Sequence, residues 1–137
     1  MIQRFLCLGL LLALLAGCMT NPFRLNRDQW PEIGDEFAKA LRWSGPDLAA
    51  TFFAESSRPA FLAAYGGDAG LQVTNIRHNA LGAPVDAKAQ GLLTIEYVRS
   101  PSVSVKNSTL PLEWSCLEAG PLVPCRWQIT TLVTRLP

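Results

Sequence analysis

Residues 114–127 (WSCLEAGPLVPCRW) read almost the same in both directions. Trp and Cys lead into a loop, and Cys and Trp lead out of it. No other stretch restricts the fold as tightly. If Cys116 faces Cys125 across a hairpin, Trp114 faces Trp127 and Leu112 faces Ile129. Strand side chains alternate, so Leu110, Leu112, Trp114, Cys116, Cys125, Trp127 and Ile129 then share one face, and Glu113, Ser115, Arg126 and Gln128 the other. One register thus separates apolar from polar, which a slip of a single residue would undo. Pro111 disagrees, having no N–H for a ladder, and predicts a bulge or the ladder's end there.

The chain opens on Met1-Ile2-Gln3-Arg4, continues as an apolar run from Phe5 to Ala16 (FLCLGLLLALLA), and reaches Gly17-Cys18. The run is too short to span a bilayer comfortably and has the form of a secretion signal. Leu15-Ala16-Gly17-Cys18 resembles the lipobox of bacterial lipoproteins. That resemblance implies cleavage just before Cys18, a diacylated thioether on its sulfur and an acylated amino group. Small residues at 16 and 17 suit a peptidase cleft, and only a thiol at 18 can carry the thioether. The alternative is an ordinary signal peptide in which Cys18 stands by chance. Lipid would make the product membrane-anchored, not membrane-spanning. In lipoproteins an Asp after the Cys favours the inner membrane. Met19 stands there instead, which implies the outer membrane, facing the periplasm.

The expected organisation is a signal peptide over 1–17, a lipidated tether over 18–27 and one domain over 28–137. Loss of the signal peptide removes Arg4 and leaves Lys and Arg in balance with the 11 Asp and Glu. Without any basic run in the mature chain, nucleic acid is not an expected partner. The expected partners are the membrane, through the lipid, and an envelope protein; oligomeric state is left open.

An oxidising periplasm would let Cys116 and Cys125 form a lasting disulfide. Closing that loop stabilises a fold by about 2.5–3 kcal/mol in the chain-entropy view. Free thiols are the next reading. A metal site needs more ligands, and His78 is the single histidine. A redox pair usually sits in Cys-x-x-Cys near a helix start, which is absent. No metal or other cofactor is therefore expected.

From Trp30 the spacing is helical: Trp30, Ile33, Phe37, Ala40 and Leu41 share one face, and Glu32, Asp35, Glu36, Lys39 and Arg42 lie opposite. Asp28 is positioned to cap this helix, with Pro31 in its first turn. Gly34 weakens it by roughly 1 kcal/mol relative to Ala. Ser44-Gly45 breaks it, Pro46 starts a second helix over 46–54, and Ser56 or Ser57 caps a third that Gly66-Gly67 ends. The following GGDAG (66–70) lacks the Lys-Ser/Thr of a phosphate loop and reads as a turn. Strands are predicted over Leu71–Ala80, Gly91–Arg99 (Leu93, Ile95 and Tyr97 alternating with Thr94 and Glu96), Ser102–Cys116 and Cys125–Leu136. Helices first and strands afterwards mean α+β with a curved antiparallel sheet of about four strands.

This order resembles the NTF2-like, cone-shaped α+β fold over about residues 28–136, most typically in Trp43–Ala54 (WSGPDLAATFFA). The chain also looks like small bacterial lipoproteins of that shape. The family includes isomerases and dehydratases as well as pure binding modules, and its enzymes set acids or His-Asp pairs inside the cone. No such set can be matched here. Gly-x-Ser-x-Gly and His-Glu-x-x-His are absent, and Glu96, Glu113 and His78 are scattered by alternation. No catalytic residue is assigned. The leading expectation is a non-enzymatic envelope lipoprotein that serves as a binding or accessory module. The alternative is a small-molecule enzyme or ligand-binding protein whose cone pocket uses His78 or Glu96.

Overall fold

The computed structural model describes residues 29–65, 70–118 and 124–135. Among them, helices α1 (Trp30–Trp43), α2 (Pro46–Ala50) and α3 (Arg58–Tyr65) precede strands β1 (Leu71–Ala80), β2 (Lys88–Arg99), β3 (Lys106–Leu117) and β4 (Arg126–Ile129). The strands pair antiparallel in the order β1-β2-β3-β4 and curl into a half-barrel. The class is α+β, as the patterning predicts.

In α1 the residues Trp30, Gly34, Phe37, Ala38 and Leu41 are buried, while Glu32, Asp35, Glu36, Lys39 and Arg42 are exposed. Pro31 occupies the first turn, and Gln29 precedes the helix without a side-chain cap. Asp28, the expected cap, lies outside the described residues. Helix α2 stops at Ala50 rather than Ala54. The reason is tertiary: Ile129 N donates to Phe52 O at 2.8 Å and Ala54 N to Ile129 O at 2.9 Å, so this stretch runs beside β4 as a parallel bridge. A continued helix would consume those same backbone groups. Ser57 stands at the cap of α3, its carbonyl accepting from Phe61 N, but its hydroxyl donates to Thr130 O at 3.3 Å instead of serving the helix. Gly66-Gly67 lies outside the described residues.

In β1 a bulge at Thr74 interrupts the alternation. It brings Val73 onto the same inner face as Ile76 and His78, which a regular strand would not do. Strand β2 begins at Lys88, earlier than Gly91, because a tight turn launches it: Val85 and Lys88 exchange hydrogen bonds of 2.8 and 2.9 Å. Its Ala89, Gly91, Leu93 and Ile95 are buried.

The β3–β4 hairpin corrects the expected register. Trp114 faces Ile129 and Cys116 faces Trp127, not Trp114 with Trp127 and Cys116 with Cys125. Arg126 stands opposite Leu117 and donates to Thr51 O at 3.1 Å. The shift is by two residues, so every side chain keeps its expected face: Leu112, Trp114, Cys116, Trp127 and Ile129 are buried and Glu113 is exposed. Patterning cannot distinguish registers that differ by two. Contacts outside the hairpin choose between them, namely Ile129 N on Phe52 O and Ala54 N on Ile129 O; Thr130 N on Glu113 O, at 2.9 Å, then continues the same register. Strand β4 ends at Ile129, well short of Leu136, because hydroxyls then replace the ladder: Glu113 N donates to Thr131 Oγ1 at 2.7 Å. Pro111 is placed accordingly. Cys116 N points to β2 and Glu113 N away from it, so by alternation the missing N–H of Pro111 would face the side where the β4 ladder has already ended.

Cys116 and Cys125 form a disulfide with Cα atoms 5.3 Å apart, set diagonally across the hairpin. The concave side of the sheet is filled with side chains. Phe53 stacks on Phe61 at 4.3 Å, and Phe37 and Trp30 lie within 6.1 and 6.4 Å of Trp114. Unfolding monitored in denaturant should show Cys116→Ser less stable by about 2–3 kcal/mol, and non-reducing peptide maps should join Cys116 to Cys125. Two alkylatable thiols in the native protein would contradict this.

Candidate functional site

Strand β1 carries the chain's histidine to the inner face, opposite Leu93 of β2. His78 is 7% exposed, and neither Nδ1 nor Nε2 meets a hydrogen-bond partner. Its ring occupies a slot between two glycines. A Cβ on Gly34 of α1 would overlap the Nδ1 side of the imidazole, and one on Gly91 of β2 would overlap Nε2. Trp30 and Trp114 close the slot edge-on, each 5.5 Å from the imidazole, with interplanar angles of 87° and 80°. The only other buried side-chain polar atom without a partner among the described residues is Trp114 Nε1.

Burial lowers the His78 pKa from its ordinary 6.5, and the nearby Asp35 carboxylate, beside Gly34 on α1, works in the opposite direction. The imidazole is therefore neutral at neutral pH and packs as a polar-edged aromatic. Glu96 is on the other side of the sheet, where its carboxylate accepts from Arg77 at 2.8 Å. Glu113 is exposed, with its carbonyl accepting from Thr130 N. The sheet thus separates the histidine from both strand carboxylates, and acid–base chemistry requires such groups to converge. Among the described residues no group of three His, Cys, Asp or Glu side chains is arranged to hold a metal ion. Cys18 lies outside the described residues.

His78 also borders a groove of ≈ 330 Å³ between α1 and β1, with Asp35, Lys39, Arg42, Trp43 and Arg77 around it. A second groove of ≈ 370 Å³ lies beside the disulfide, between Ile33, Phe52, Arg126 and Trp127. Sequence reasoning places His78 on a strand but misses its slot. The available signal was the pair Gly34 and Gly91: a glycine inside a helix or strand marks close approach of another group. No protein-family model, curated protein or solved structure matches the chain.

The slot makes two expectations. Gly34→Ala, which would ordinarily strengthen a helix by ~1 kcal/mol, should here destabilise the protein by about 1–3 kcal/mol through overpacking. In a His78→Ala background the loss should shrink or reverse, since the two sites are in contact. Additive effects in that double-mutant cycle would refute the slot.

The second expectation concerns pH. Because the folded protein binds the His78 proton less readily than the unfolded chain, this contribution to stability is complete above the unfolded pKa near 6.5 and falls as pH drops below it. The slope is at most about 1.4 kcal/mol per pH unit. Denaturant midpoints measured between about pH 7 and 5 should therefore decline, and His78→Asn should flatten the decline.

Proposed function

We propose that the chain is an exported lipoprotein, held in the outer membrane by acylated Cys18 and facing the periplasm, that presents its α+β domain as a non-enzymatic binding or accessory module. The observation that carries this reading is the disulfide between Cys116 and Cys125. Such bonds persist in oxidising compartments and are rare where thiols are kept reduced, which agrees with the export signal and lipobox at residues 5–18. Helices followed by a curled antiparallel sheet support an NTF2-like assignment for the domain.

The distribution of polar groups favours binding over catalysis. His78 and Glu96 lie on opposite faces of the sheet, and the aromatic side chains that fill its concave side leave the grooves at the surface for partners. Mass spectrometry of the mature protein should find Cys18 as the first residue, carrying acyl chains, and Cys18→Ser should shift the protein from the membrane to the soluble fraction. An unacylated mature terminus, or cleavage at another residue, would overturn the proposal.

A further inference from the structure

Strand β1 is an outer strand of the sheet. Its backbone polarity follows from the ladder. Leu81 N donates to Gln90 O at 2.8 Å, and in the same register Asn79 opposes Leu92 and Arg77 opposes Thr94. These odd-numbered residues exchange hydrogen bonds with β2, so Ile76, His78 and Ala80 turn their N–H and C=O groups away from it. Among the described residues no partner meets those outward groups. The strand is 10 residues long and contains no proline, and its bulge at Thr74 lies before this stretch. Proline, a bulge and shortness, three of the usual protections of a sheet edge, are thus missing from Ile76–Ala80.

The groove between α1 and β1 runs along this edge. Four consecutive residues, Ile76 to Asn79, border it. A groove over one face of the strand would meet only alternate side chains. Its far wall is a single helical face of α1, formed by Asp35, Ala38, Lys39 and Arg42. The wall is polar in a directional way. Asp35 stands at the His78 end, while Arg42 donates to Asn75 Oδ1 at 3.1 Å toward the other end, and Lys39 is one turn before it. Arg42 also lies 4.4 Å over the ring of Trp43, which is 73% exposed. Arg77 takes less part, because its guanidinium engages Glu96.

We propose that this groove docks an extended peptide segment of a partner protein, which adds to β1 as a further strand and sets a carboxylate against Lys39 and Arg42. Main-chain hydrogen bonds to Ile76, His78 and Ala80 supply affinity, and the charged wall supplies direction and selectivity. A carboxylate fits beside Ile76 and is repelled by Asp35 at the opposite end. The inference deepens the binding-module reading and rests on it, but is independent of the lipid anchor.

A random octapeptide library displayed on phage can be selected against the full chain, purified oxidised in detergent. Selected sequences should carry Asp or Glu toward one end and lack proline at the pairing positions. The most enriched peptide, made synthetically, should slow hydrogen exchange at the amides of Ile76, His78 and Ala80. Lys39→Glu should weaken its binding by about tenfold, as expected for one lost charged contact. Ala80→Pro removes an outward donor while sparing the β2 ladder, and should also weaken it. N-methylation of alternate amides in the peptide should abolish binding. Failure to select any peptide, binding that leaves those amides unprotected, or protection that depends only on protein concentration, as in pairing of two copies, would overturn the proposal. None of these results alters the mass of the mature N-terminus, so failure here is distinct from failure of the lipoprotein reading.

Discussion

Helix α1 lies as close to the sheet as it does because Gly34 and Gly91 leave to the His78 ring the space that two Cβ atoms would otherwise take. The aromatic core depends on that distance. Trp30 and Phe37 project from the same helix and reach Trp114, Trp127, Phe52 and Phe53 with ring separations between 5.7 and 6.4 Å. Displacing α1 by the radius of a methyl group would open these contacts together, and interiors packed to crystal density absorb such changes poorly. The helical cost of Gly34 is offset by the packing it permits.

The imidazole is an unusual plug. A buried polar atom without a partner costs about 1–3 kcal/mol, and His78 presents Nδ1 and Nε2 in that condition. Edge-on contacts with Trp30 and Trp114 return part of this. Neutrality is the condition for the arrangement, since a charged ring in the same slot would be opposed by burial and helped only by Asp35. The polar groups capable of proton transfer therefore serve the fold on the inner face, and the Arg77–Glu96 pair on the outer face is a surface ion pair of small energetic weight.

The two edges of the sheet are treated differently. At β4 the edge is met by the Phe52–Ala54 stretch, and the hairpin behind it is locked by the Cys116–Cys125 disulfide. At β1 the outward backbone groups of Ile76, His78 and Ala80 face a groove rather than another strand. The asymmetry leaves a covered, cross-linked edge at one side of the half-barrel and an open groove at the other.

Much of this was legible in the chain alone. The apolar spacing from Trp30 defines α1, the span Leu71–Ala80 is recovered as β1, and the inward and outward faces of the Trp114–Trp127 hairpin follow from alternation. These are local properties, set by the periods of helix and strand and by the pairing of two cysteines close in sequence. The hairpin register, the end of α2 at Ala50 and the early end of β4 were decided only in three dimensions, because each turns on hydrogen bonds between Phe52, Ala54, Glu113 and residues 129–131. The same holds for His78. Its place on a strand is written in the sequence, but its slot is assembled from a helix, two strands and two tryptophans, and no local pattern encodes how near those elements come.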